Sequence, residues 1–172
     1  QFIPLINDFT MQGWINPESS QIVSHSKLFY LEDDDEVPNL YLWYDNNNRI
    51  ICNNWQGAGA NILISNTIIN SNIWNHVSLV YENQDLKLYI NGILDAQVNV
   101  SLSVPQNSSI TLGDHISPGD PFIGKIDQFN LWDIALTQQQ IFDCMICNPK
   151  DIENGLLVNW EFEEGPTGTT VL

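Results

Sequence analysis

Short runs in which apolar and polar residues alternate recur along this chain of 172 residues. They include residues 39–44, 74–81, 85–90 and 156–162, each followed within a few residues by Asn, Asp or Gly. Because successive side chains of a strand point to opposite faces, this alternation predicts strands with one buried face. Strands at such short intervals favour two packed antiparallel sheets over parallel α/β units. We therefore expect an all-β chain.

Two local signals refine this expectation. Asn91-Gly92 separates two of the runs, and this pair favours a tight type I′ hairpin because both residues tolerate positive φ. Leu136 and Ile141 instead follow near-helical spacing, with Thr137 suited to cap a helix. We expect a two-sheet antiparallel β-sandwich with one short helix near 136–145, forming a single domain over residues 1–172.

The charge balance limits the partners of this protein. Five Lys and Arg stand against 21 Asp and Glu, which gives a formal net charge of −16. Nucleic-acid binding needs a basic surface, so we expect no nucleic-acid partner. We also expect no membrane insertion, because the chain has no run of about 18 apolar residues. The balance favours cations and neutral ligands such as sugars.

Three cysteines leave at least one thiol without a partner inside the chain. Cys144 and Cys147 have the spacing of a redox or zinc half-site, but a second pair and matching histidines are missing from the sequence. The alternative is a local or cross-chain disulfide in an exported protein.

Several segments together resemble a known family. In order, they are residues 74–81 (WNHVSLVY), 86–92 (LKLYING), 110–113 (ITLG), 122–127 (FIGKID) and 131–137 (LWDIALT). This succession is similar to the laminin-G-like, concanavalin A-like jelly-roll domains, which include the pentraxins. The resemblance implies a jelly-roll fold, and it implies that the chain is a piece of a longer modular protein. Lectins, adhesion modules and glycanases all use this fold, so it does not by itself fix the function.

The resemblance also implies candidate calcium ligands. Residues 32–36 are five consecutive carboxylates, which repel one another unless a cation or open solvent screens them. Pentraxin-like domains carry acidic calcium ligands in such a loop, which implies Asp34 and Asp35 here. A second acidic loop of these domains implies Asp114 and Asp120. The alternative for the first loop is solvated charge without a metal.

A glycoside hydrolase is the weaker alternative. Glycanases of this fold carry a Glu-x-Asp-x-Glu pattern that Glu32, Asp34 and Glu36 formally match. In a strand, Asp33 and Asp35 would then point into the core, where an unpaired carboxylate is costly. We therefore interpret this segment as a loop and expect no enzymatic activity.

Aromatic side chains are the candidates for contact with a sugar. Tyr41 and Trp43 alternate with leucines, so they point outward and are available to a ligand if the leucines face the core. Trp55 lies in a turn-like loop. Most other aromatic residues must build the core, and we assign the following to packing: Trp14, Trp74, His76, Trp132 and Trp160.

The sequence thus predicts a non-catalytic binding module of a secreted or cell-surface protein. We expect it to recognise a glycan, or a cell-surface or matrix protein, with the help of Ca²⁺. Other domains of the same parent chain are further expected partners. The main alternative is a structural or adhesive spacer without a sugar site.

Overall fold

A computed structural model describes residues 8–19, 25–32, 38–54, 61–102, 109–114, 120–146 and 154–163. Within these ranges the chain forms eleven strands and one helix. The elements are β1 (Phe9–Pro17), β2 (Ser26–Glu32), β3 (Pro38–Tyr44), β4 (Ile50–Asn53), β5 (Asn61–Ile64), β6 (Asn75–Glu82), β7 (Asp85–Ile90), β8 (Ile93–Asn99), β9 (Ser109–Leu112), β10 (Gly124–Trp132), α1 (Gln138–Ile146) and β11 (Leu156–Trp160).

The strands form two antiparallel sheets that pack as a jelly-roll-like sandwich. The six-stranded sheet has the order β11-β10-β1-β6-β7-β8, and the five-stranded sheet has the order β5-β4-β3-β2-β9. The predicted all-β fold with one short helix is therefore confirmed. The alternation pattern missed β2 and β5, because β2 contains a run of apolar residues and β5 is only four residues long.

The core lies between the inner faces of the two sheets. Leu40 and Leu42 of the five-stranded sheet are each 1% exposed, and they join Met11 and Leu79 of the other sheet in one apolar cluster. Burial of such side chains drives the association of the sheets, at about 25 cal/mol for each Å² of apolar surface removed from water. The alternation of residues in each strand therefore determines which side chains pack between the two sheets.

The hairpin between β7 and β8 has the predicted turn. Asn91 and Gly92 have φ values of 52° and 76°, as a type I′ turn requires. A side chain at Gly92 would also meet Met145 Sδ at 3.0 Å. The turn therefore contacts the helix, and a glycine is needed there for both reasons.

Helix α1 begins after Thr137, as the sequence predicted. The Gln140 backbone N–H donates to Thr137 Oγ1 (3.3 Å), while the Thr137 N–H donates to Gln140 Oε1 (2.8 Å), which is a reciprocal capping box. Ile141 and Cys144 pack on the outer face of the six-stranded sheet with Trp132 and Val80. Within the described ranges, no helix is long and apolar enough to cross a membrane.

The two ends of the sheets differ. At the β5–β8 edge, the Asp95 carboxylate accepts hydrogen bonds from the backbone N–H groups of Asn66 (2.6 Å) and Thr67 (2.9 Å), which ties the sheets together. At the opposite edge, β9 and β11 are the terminal strands, and a large cavity opens between the sheets there.

Candidate functional site

Two of the predicted ligand-contacting residues lie on the outer face of the five-stranded sheet. Leu40 and Leu42 point into the core, so Tyr41 and Trp43 point outward, as the alternation predicted. Their side chains are nevertheless buried, with 4% of Tyr41 and 9% of Trp43 exposed. The predicted orientation is correct, but the predicted exposure of these two rings is wrong.

Neighbouring strands supply the contacts that bury this pair. Tyr30 stacks on Tyr41 with ring centroids 4.9 Å apart, and Tyr41 lies 5.2 Å from Trp43. Ile51 pairs with Trp43 across β3 and β4 and completes a second apolar cluster. Burial raises the pKa of Tyr41 above its ordinary value, so its hydroxyl is protonated at neutral pH. A ligand role for Tyr41 and Trp43 stays a prediction.

The two described calcium candidates, Asp114 and Asp120, meet at Lys27 on β2. Lys27 Nζ lies 3.8 Å from Asp114 Oδ1, and the Lys27 backbone N–H donates to the carbonyl of Asp120 (3.1 Å). Ca²⁺ takes about six to eight oxygen ligands, and its charge opposes that of a nearby ammonium. Among the described residues, no three His, Cys, Asp or Glu side chains form a potential metal-binding group. Asp114 and Asp120 therefore do not fit a calcium site by themselves.

The other predicted site residues, Asp34, Asp35 and Trp55, lie outside the described residues. The same holds for Glu36 and for the side chain of Glu32, the last residue of β2. The calcium prediction for the acidic loop and the ligand prediction for Trp55 therefore stay predictions.

A cavity of about 990 Å³ opens at the edge formed by β9, β10 and β11; we call it the edge cavity. Its described walls consist of Leu112, Gly113, Phe122, Gly124, Ile126, Asn159, Trp160, Glu161, Phe162 and Glu163. Pockets that bind small molecules commonly have a volume of about 300–1,000 Å³ and combine apolar walls with a few polar groups. The edge cavity has both the size and the mixed lining of such a pocket.

Three aromatic rings line the edge cavity. Trp160 lies 5.7 Å from the core residue Phe129 and 6.5 Å from Phe162, so the core supports one side of the indole. Trp160 is still 40% exposed and Phe162 is 53% exposed. Phe122 packs over Gly124, where a Cβ would lie 2.8 Å from its ring. Aromatic surface is thus held in place at the mouth of the sandwich.

Polar groups alternate with these rings along the chain. Asn159 Nδ2 donates to Glu161 Oε1 at 3.0 Å, which orients both side chains. Glu163 adds a second carboxylate to the wall. The bulky residue Phe162 has a φ of 49°, an uncommon backbone conformation that ends the extended path of β11. The edge cavity therefore offers hydrogen-bond acceptors next to apolar ring faces.

The sequence reasoning missed this site because it assigned Trp160 to the core. The signal that could have revealed it is the alternation Trp160-Glu161-Phe162-Glu163. Two aromatic residues that alternate with glutamates and run into Gly165-Pro166 are typical of a strand end rather than of a buried strand. Trp132, assigned to packing by the same reasoning, is fully buried.

Comparison with known proteins supports the sequence resemblance. A family model for the concanavalin A-like lectin/glucanase superfamily matches residues 3–142. The mouse Sushi, von Willebrand factor type A, EGF and pentraxin domain-containing protein 1 is 24% identical over 96% of the chain. The chain spans only 5% of the length of that relative.

Two solved structures share the fold at low sequence identity. The heptameric SAP-like pentraxin of Limulus polyphemus is 16% identical, with a TM-score of 0.69, over 94% of this chain and 86% of its own. A Bacteroides ovatus protein for which carbohydrate binding has been proposed is also 16% identical. Its TM-score is 0.73, over 99% of this chain and 48% of its own.

Proposed function

Because the chain belongs to the concanavalin A-like lectin/glucanase superfamily, a family of binding modules and enzymes, we propose that it is a non-catalytic module that binds a glycan in the edge cavity. The observation that carries this proposal is the exposed pair of Trp160 and Phe162 beside carboxylate and amide groups. The carbohydrate binding proposed for the Bacteroides ovatus neighbour agrees with it.

The chemistry of the edge cavity suits a sugar. A pyranose or furanose ring presents C–H groups on one face, and these stack on an aromatic ring with little loss of hydration. Trp160 supplies such a surface at the cavity mouth, held from behind by Phe129. The sugar hydroxyls at the rim of the ring can then donate to acceptors beside the indole.

Carboxylate acceptors line the same cavity as Trp160. Glu161 is fixed by the amide of Asn159 at 3.0 Å, and Glu163 follows two residues later. A carboxylate whose side chain is already fixed before binding loses little conformational entropy when it accepts a hydrogen bond from a sugar hydroxyl. This favours binding. We propose that Glu161 and Glu163 act as acceptors for sugar hydroxyls, without a hydrolytic role.

We propose a secreted or cell-surface location, as one module among several. The support is the mouse relative, whose name combines Sushi, von Willebrand factor, EGF and pentraxin domains, and of which this chain corresponds to a small part. A cell-surface or matrix protein is the alternative ligand of such a module.

The test of this proposal is a glycan array probed with the full chain, followed by calorimetry on each ligand found. Trp160→Ala should weaken glycan binding about tenfold, because it removes the aromatic surface on which the sugar ring stacks. For comparison, stacking of a nucleic-acid base on an aromatic side chain contributes about 1–3 kcal/mol. The matched control is Trp74→Ala, because Trp74 is also 40% exposed but lies outside the edge cavity.

Two outcomes would contradict the proposal. Equal losses in the two tryptophan variants would move the glycan away from the edge cavity. Release of reducing sugar from a bound glycan, abolished by Glu161→Gln or Glu163→Gln, would instead show a hydrolase.

A further inference from the structure

A second, smaller pocket lies on the opposite side of the six-stranded sheet from the core. Its volume is about 340 Å³, and its described walls are Trp14, Trp74, Asp127, Gln128 and Met145; we call it the helix pocket. Met145 belongs to the last turn of α1, so the C-terminal end of the helix forms one side. The sequence reasoning assigned both tryptophans to packing, but Trp74 is 40% exposed and Trp14 is only half-buried.

The strand register brings these residues together. Trp14 pairs with Asp127 of β10 on one side and with His76 of β6 on the other, so the three side chains share one face of the sheet. Trp74 precedes His76 by two residues and therefore approaches the same face. The ring of His76 packs edge-on against the indole of Trp14, with ring centroids 5.2 Å apart.

The electrostatics of the helix pocket favour a positive charge. Among the described residues, Asp127 forms no salt bridge with a lysine or arginine. Its Oδ1 accepts a hydrogen bond from the backbone N–H of Gln128 at 2.8 Å. The last turn of α1 has no basic residue to balance the negative end of the helix dipole. Burial lowers the pKa of the neighbouring His76 to about 3, so its imidazole adds no positive charge at neutral pH.

Several apolar residues close in sequence to the walls of the helix pocket are exposed. Ile73, next to Trp74, is 55% exposed. On the helix, Phe142 is 47% and Ile146 is 71% exposed, and Phe142 packs against the hairpin turn at Gly92. Exposed apolar side chains near a pocket are typical of a protein interaction site.

We propose that the helix pocket holds a lysine or arginine side chain of a protein partner. The ammonium or guanidinium group lies against the indole faces of Trp14 and Trp74. Among aromatic side chains, tryptophan gives the strongest cation–π attraction. Asp127 supplies the counter-charge, and the exposed side chains of Ile73, Phe142 and Ile146 are available to flanking residues of the partner. The formal net charge of −16 attracts a basic segment from a distance.

A neutral sugar fits this pocket less well than a basic side chain. A sugar ring needs several hydrogen-bonding partners around it, whereas three of the five described wall residues here are Trp14, Trp74 and Met145. The Asp127 carboxylate, which has no ion-pair partner among the described residues, and the helix C-terminus also gain more from a full positive charge than from hydroxyl groups. This inference is independent of glycan binding at the edge cavity.

The test is an NMR titration of the full chain with a blocked Leu-Lys-Leu peptide, using the indole N–H signals of the tryptophans. The comparison peptide replaces Lys with norleucine, which keeps the aliphatic stem and removes the charge. We expect the Lys peptide to shift the Trp14 and Trp74 signals, with the norleucine peptide binding at least about fivefold more weakly. The Trp160 signal serves as the internal control. Trp14→Phe and Trp74→Phe assign the signals.

Asp127→Asn separates the charge from the shape of the pocket. It should weaken binding of the Lys peptide about threefold to tenfold and leave the norleucine peptide unchanged. Equal binding of the two peptides, or an unchanged affinity in Asp127→Asn, would overturn the proposal. A shift of the same signals by methyl glycosides would also overturn it. So would tighter binding of tetramethylammonium than of the Lys peptide, because the ligand would then be a free small cation and not a side chain. A thermal melt of each variant confirms that it is folded.

Discussion

Burial determines the chemistry of two side chains that the sequence alone leaves ambiguous. His76 is 2% exposed and its pKa falls to about 3 because the imidazolium would lose its hydration. Cys52 is fully buried in the core, and burial raises the pKa of its thiol far above the ordinary value. At neutral pH the imidazole of His76 is therefore uncharged and the thiol of Cys52 is protonated. The burial of His76 agrees with the packing role predicted for it.

His76 should make the stability of the protein depend on acid. The ordinary pKa of histidine is about 6.5 and applies to the unfolded chain, whereas the folded value is about 3. The unfolded state therefore binds the extra proton first as the pH falls. Neutral His76 makes its full contribution to the free energy of unfolding above about pH 6.5. As the pH falls from 6.5 to 3, this free energy decreases by up to about 1.4 kcal/mol for each pH unit.

Denaturant unfolding of the wild-type protein and of His76→Phe from pH 7.5 to pH 4 checks this expectation. The difference in unfolding free energy between the two proteins should shift in favour of the variant as the pH falls. Carboxylates such as Asp127 are present in both, so their effects cancel to a first approximation. A difference that does not change with pH would show that His76 titrates normally.

At the scale of elements, the two outer sheet faces show that orientation and exposure are separate properties. Tyr41 and Trp43 point away from the core but are covered by neighbours from adjacent strands. On the other sheet, α1 covers Val80 and Trp132, while the pocket wall at Trp74 stays partly open. A strand pattern of period 2 specifies the face, and only the contacts between elements specify the exposed fraction.

The capping box of α1 should contribute measurably to stability, because the helix has only nine residues. Thr137→Ala removes the oxygen that accepts the Gln140 N–H and should lower the free energy of unfolding by about 0.5–2 kcal/mol. The matched control is Thr137→Ser, which keeps that oxygen and should stay close to the wild type. Chemical denaturation measures both, and equal losses in the two variants would show that the methyl group of Thr137, not the cap, is important.

At the scale of the whole molecule, the excess of negative charge dominates. A net charge of −16 on 172 residues means that any salt reduces self-repulsion. A stabilising effect of calcium must therefore be separated from screening. The predicted ligands Asp34 and Asp35 are the residues to test, since Asp114 already lies beside the ammonium of Lys27.

We expect millimolar Ca²⁺ to raise the melting temperature above that in NaCl of equal ionic strength, because a bound ion stabilises the native state by mass action. Asp34→Ala and Asp35→Ala should abolish the difference, whereas Asp114→Asn should retain it. A rise of the same size in NaCl would remove calcium from the description of this protein and leave the acidic loop as solvated charge.

Local chemistry made several features of this fold predictable. The Asn91-Gly92 turn follows from the positive φ that these residues tolerate, and the start of α1 follows from the hydroxyl of Thr137. The inward direction of Leu40 and Leu42 follows from the period of a strand. The edge cavity was not predictable, because Trp160 and Phe122 are 38 positions apart in the sequence and line one cavity only through the tertiary fold.

The sequence by itself therefore determined the all-β class, the two faces of each strand, the hairpin turn and the helix cap, all of which depend on residues within a few positions of one another. Tertiary structure decided which tryptophans are covered and which line a pocket. Trp132, Trp74 and Trp160 all lie in or beside strands, yet they are 0%, 40% and 40% exposed. The physical reason is that exposure depends on what distant segments pack against a ring, and alternation along a single strand carries no information about those segments.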